Sequence, residues 1–125
     1  MASLDTIFDD VIEDIPIKPP IVFLKELSNE LAKKTKGLLI GEVEQTVYSN
    51  PRFRFDFYIE APSLNNYRFH VLTLNHDLDF YPVVITGRND KITNEQELEQ
   101  ALEQIFTSPE VKRVINGLLK QINAA

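Results

Sequence analysis

The sequence predicts an α+β domain: N-terminal helices, a four-stranded antiparallel meander sheet, and two C-terminal helices packing on that sheet. Three observations carry this prediction. Apolar residues recur at spacings of three and four near both ends of the chain. In the middle the period falls to two. The period-two runs are joined by short links rich in Asn, Ser, Pro and Asp, too short for anything but antiparallel neighbours.

The first helix is expected from about Leu4 to about Glu13, with Ser3 as its N-cap and Asp5 where the helix dipole favours an anion. Leu4, Ile7, Phe8, Val11 and Ile15 form its apolar stripe, and the acids lie opposite. Ile15-Pro16-Ile17-Lys18-Pro19-Pro20 breaks the helix, because residues before proline avoid helical angles. A second helix starts near Pro20 or Ile21 and buries Leu24, Leu27 and Leu31. Basic residues crowd its last turn and Gly37 ends it.

Four strands follow, at Leu38 to Tyr48, Arg52 to Glu60, Tyr67 to Asn75 and Leu78 to Thr86. Leu39, Val43 and Val47 share a face of the first; Gly41 within it marks a bulge or a close packing contact. Ser49-Asn50-Pro51 is a turn signal. The second strand alternates cleanly, with Phe53, Phe55, Phe57 and Ile59 on one side and Arg52, Arg54, Asp56, Tyr58 and Glu60 on the other. A hairpin pairing Tyr58 with His70 sets Glu60 opposite Arg68. The third and fourth strands read as apolar on both faces: Phe69 and Val71 against Leu72 and Leu74, and Phe80 and Val84 against Tyr81, Val83 and Ile85. Such surplus calls for a cover on the second face, supplied by the N-terminal helix or a second subunit.

Gly87 to Lys91 is a polar loop. Thr93 or Asn94 then caps a third helix, with Gln96 or Glu97 completing a capping box and Leu98, Ala101, Leu102, Ile105 and Phe106 as the stripe. Ser108-Pro109 starts the last helix, in which Val111, Val114, Ile115, Leu118, Leu119 and Ile122 form the cleanest stripe in the chain.

At 125 residues the chain suits one domain, with residues 1–18 as an acidic amphipathic helix plus proline hinge and 19–125 as the core. There is no cysteine, which excludes disulfides and thiol chemistry. The net charge of -6 argues against nucleic acid and anionic membranes as partners. No apolar run is long enough to span a bilayer, and the start MASLDTIFDD lacks the features of a targeting signal, so a cytoplasmic location is expected.

Candidate sites are few. His76, Asp77 and Asp79 bring together residue types that bind hard metals or exchange protons, but a hairpin turn uses the same residues, and no metal or cofactor is expected. Tyr58, Arg68 and His70 share a strand face and are the ligand-binding alternative; a cross-strand polar ladder is the simpler reading. Aromatic interleaving at Arg52-Phe53-Arg54-Phe55 resembles that of RNA-binding sheets, yet these phenylalanines occupy the buried side of the alternation. No phosphate-loop or nucleophile-elbow motif occurs, and no catalytic residue is assigned. The expected function is therefore a non-enzymatic protein-binding module: an adaptor, a small chaperone, or an immunity- or antitoxin-like protein. A small enzyme or ligand-binding domain is the alternative. The expected contact residues are Leu4, Ile7, Phe8 and Val11 of the first helix with Leu72 and Leu74 of the sheet, in a homodimer exchanged through the proline hinge or against another protein.

Overall fold

The computed structural model describes residues 4–48 and 52–124. After a 3₁₀ turn at Leu4–Asp9 come α1 (Pro20–Lys34), β1 (Ile40–Tyr48), β2 (Arg52–Ala61), β3 (Tyr67–Asp77), β4 (Val83–Ile85), α2 (Glu95–Phe106) and α3 (Pro109–Ala124). The strands lie in the order β1-β2-β3-β4, each antiparallel to the next, which is the predicted α+β meander. The Ser49-Asn50-Pro51 turn and the Ser3 cap fall outside the described residues.

The helix signals act as the sequence predicts. Pro20 stands at the start of α1, and beyond its end Gly37 takes φ +81°, its N–H donating to Ala32 O at 2.8 Å. Asn94 is the cap of α2: its side chain accepts from the Glu97 N–H at 2.9 Å, and the Glu97 carboxylate accepts from the Thr93 N–H at 2.7 Å. Ser108 Oγ accepts from the Val111 N–H at 3.3 Å and caps α3.

The helices cover one side of the sheet. The buried cluster joins Phe55, Phe57, Ile59, Leu72, Leu74, Val83 and Ile85 from the strands to Phe23 and Leu24 of α1, Leu98 and Leu102 of α2, and Val111 of α3. Phe57 is fully buried at the centre, its ring edge-on to Phe106 at 5.0 Å. Burial of each such side chain stabilises by about 1.5–3 kcal/mol. Gly41 is a close packing contact. A Cβ there would lie 2.7 Å from the Phe57 ring and 2.8 Å from Ser28 Cα, so only glycine lets α1 lie this close to β1.

Three expectations are corrected. The first concerns the faces of the third strand. Phe57 is opposite Leu72, but Tyr58 is opposite His70, so Val71 is an unpaired bulge residue. The extra residue resets the alternation. Phe69, Leu72 and Leu74 therefore share the helix-covered face, with Leu72 and Leu74 buried in the chain's own core and not offered to a partner. The apolar surplus that called for a second cover disappears.

The second correction shortens the last strand. Pro82 has no N–H for a ladder, and Asp77 to Pro82 forms a turn with Phe80 at φ +73° and a cis Tyr81–Pro82 bond. Only Val83 to Ile85 pairs, with Val83 and Ile85 inward and Val84 outward. The third correction concerns the N-terminus. Residues 4–9 form a 3₁₀ turn with no buried residue instead of an α-helix packed on the sheet. A short helix gains its stability from tertiary packing, and this one buries no residue.

Candidate functional site

The uncovered face of the sheet is polar. Alternation turns Arg52, Arg54, Asp56, Tyr58 and Glu60 of β2 away from the helices, beside Glu42 and Glu44 of β1 and Arg68, His70 and Thr73 of β3. The structure brings Tyr58, Arg68 and His70 together as the expected register requires, with Tyr58 opposite His70 and Glu60 opposite Arg68. The Arg68 guanidinium lies 4.1 Å above the Tyr58 ring, and the His70 ring meets the same ring edge-on at 5.3 Å. Arg68 reaches across β2 to Glu44 at 2.9 Å, with Glu60 at 3.8 Å and Glu42 at 3.9 Å. The hydrogen bond to Glu44 holds the guanidinium pKa above its ordinary value.

Beside this brace lies a second group that sequence reasoning missed. Asp56, buried on the sheet, accepts from Thr73 Oγ1 at 2.5 Å and from Arg54 Nε at 3.0 Å. His70 Nε2 sits 3.1 Å from Asp56 Oδ1 and 2.9 Å from Thr73 Oγ1. Desolvation pushes the Asp56 carboxyl up, but hydrogen bonds from Thr73, Arg54 and His70 outweigh it, and the group ends below the usual aspartate value. The signal was present in the alternation, since Asp56 and Thr73 face each other across the β2–β3 pair. Chemically the arrangement is closed. The Thr73 hydroxyl proton goes to Asp56, so the histidine is not placed to take it, and the carboxylate is occupied by three donors. These bonds brace two strands and leave no activated hydroxyl.

The other polar candidate is taken apart. His76 lies within β3 and points into the core, 4% exposed, stacked on Phe53 and Phe55 at 5.5 Å each. Its Nδ1 meets Asp77 O at 2.6 Å and its Nε2 has no partner. Asp77 points outward, 3.9 Å from Arg52, and Asp79 lies in the exposed turn. Among the described residues no group of three acids or histidines is placed to hold a metal ion. No helix among them is long and apolar enough to cross a membrane.

The expected contact residues of the N-terminal segment are all accessible. Leu4 is 82% exposed, Ile7 43%, Phe8 61% and Val11 65%. The exposed run extends through Ile12, Ile15 and Ile17, which the stripe argument had included only in part. It ends at an anchor: the Tyr81 hydroxyl donates to Lys18 O at 3.2 Å. Burial, helped by the charge of Glu95, pushes that phenol up to about 12.

Fold and site together define a two-layer α+β domain with a braced polar sheet face and an apolar segment outside its core. The chain matches no protein-family model, no curated protein and no solved structure.

Proposed function

We propose that this chain is a non-enzymatic protein-binding module that docks on its partner through residues 4–17. The observation that carries this reading is the exposure of Leu4, Ile7, Phe8, Val11, Ile12, Ile15 and Ile17 in one continuous segment. Seven large apolar side chains exposed within fourteen residues outside the core are unusual for a surface with no partner. The segment also carries Asp9, Asp10, Glu13 and Asp14, so the complementary surface is an apolar groove with basic margins. The case for a second copy as that partner is weakened, because the apolar surplus behind the homodimer expectation was removed by the Val71 bulge.

A binding domain or small enzyme using Tyr58, Arg68 and His70 is the competing reading. Arg68 bonds Glu44, His70 Nε2 lies against Asp56 and Thr73, and the Tyr58 ring packs against both side chains, which supports a bracing role. Affinity capture separates the two. The full chain is expected to retain one dominant protein that is lost with Phe8→Asp/Ile12→Asp and kept with His70→Ala. Loss with His70→Ala and retention with the double variant would reverse the assignment.

A further inference from the structure

A different surface points to a second kind of contact. Between α1 and α2 runs a groove of about 420 Å³. Each helix contributes the same pattern. On α1, Phe23 and Leu27 stand four residues apart on the floor, with Glu26 and Glu30 four apart on the rim. On α2, Leu102 and Phe106 form the floor and Glu99 and Glu103 the rim. Residues four apart share a helix face, so each helix offers an apolar strip edged by two carboxylates. All four glutamates are exposed, while Leu27 and Phe106 are half-buried. Like charges at this spacing weaken a helix, and of the four only Glu26 has an ion-pair partner among the lining residues, Lys18.

The occupant can be read from the groove's own lining. Lys18 is the one cation there, and it sits as a ligand would: its ammonium is 4.0 Å above the Phe23 ring and 2.9 Å from Glu26. The far rim, Glu30, Glu99 and Glu103, has no cation among the lining residues. The N-terminal segment cannot serve, whether from this chain or a second copy, because it carries acids where the rim needs bases. We propose that the α1–α2 groove docks a cationic amphipathic segment of a partner protein, apolar side chains on the floor and lysines or arginines between the glutamate rims.

The test is fluorescence anisotropy on the full chain with three labelled peptides: a lysine-rich one with leucines at helical spacing, a scramble of equal composition, and a version with glutamate for lysine. Only the first is expected to bind saturably. Glu99→Lys/Glu103→Lys should weaken it by about ten-fold or more, while Asp77→Lys/Asp79→Lys, an equal change of net charge at the exposed end of β3 and the turn after it, should alter it by less than about two-fold. Glu26→Gln/Glu30→Gln supplies a second rim variant should the first not fold, with loss of affinity again expected. Equal binding of the scramble, or equal weakening by the groove and off-groove charge changes, would overturn the proposal in favour of a diffuse acidic field. Displacement of the peptide by Leu27→Asp without any effect of the glutamates would likewise overturn it.

Discussion

Gly41→Ala isolates the contact that seats α1 on the sheet. The added methyl would meet Ser28 Cα at 2.8 Å and Phe57 Cζ at 2.7 Å, whereas carbon atoms pack comfortably at about 3.5–4.0 Å. The ring can tilt, but Ser28 Cα is helix backbone, so α1 itself must lift by about 1 Å to restore an ordinary contact. That shift disturbs the Ser28 hydroxyl bond to Gly41 O and the packing of the buried Phe23 and Leu24 beyond it. Overpacking of this kind costs about 1–3 kcal/mol. A disturbed hydrogen bond adds about 1 kcal/mol, and the stiffer unfolded chain returns about 0.4–1 kcal/mol. The net expectation is a loss of about 2 kcal/mol, or a melting temperature lower by roughly 6–10 °C. Gly117→Ala is the matched control. It lies inside α3 with nothing within 4 Å of its added methyl, and should stabilise by up to about 1 kcal/mol. Thermal melts followed by far-UV circular dichroism read both. A Gly41→Ala protein that melts with or above the parent would refute the close-approach argument.

Three further predictions follow from the core and the sheet face. Phe57→Ala should cost about 3–5 kcal/mol in urea unfolding, since Phe57 is fully buried against Phe106; a change below about 1 kcal/mol would contradict the assignment of faces. Asp56 has its folded pKa depressed, so its contribution to stability is complete above the unfolded value and is lost as pH falls through the folded one; acid titration of Asp56→Asn should lack that part of the slope. His76→Phe keeps a ring between Phe53 and Phe55 and removes both the partnerless Nε2 and the Nδ1 contact with Asp77 O, so the two losses should offset and stability should change by less than about 1 kcal/mol in urea unfolding, whereas marked destabilisation would show that Nε2 has a partner.

What the sequence disclosed depended on whether a pattern was local. The alternation of Arg52 to Glu60 gave the faces of β2, and the pairing of Tyr58 with His70, which sets Glu60 opposite Arg68, is the one the hairpin adopts. The capping residues Asn94 and Ser108 and the terminating Gly37 fixed helix ends for reasons contained within a turn of chain. The bulge was hidden because Val71 and Leu72 are adjacent apolar residues, and nothing in their types says which of the two drops out of the alternation. The same blindness lengthened the last strand through Phe80-Tyr81-Pro82, where the proline was the clue. At the N-terminus the helical spacing is real, but none of residues 4–9 is buried, and periodicity alone does not say what a stripe packs against. The α1–α2 groove was out of reach for a different reason. Its two glutamate pairs are ordinary in isolation and become a site only when the fold sets Glu26 and Glu30 beside Glu99 and Glu103.

The central claim is that residues 4–17 form the docking surface, and proximity is its most direct measure. A photoreactive benzophenone side chain can be placed at Phe8 in one protein and at His70 in another, each expressed in the source cells and irradiated. One dominant protein adduct of defined mass is expected from position 8, abolished by Ile12→Asp in the same chain, and none from position 70. An adduct from position 70 with none from position 8 would contradict the claim and move the binding surface to the sheet.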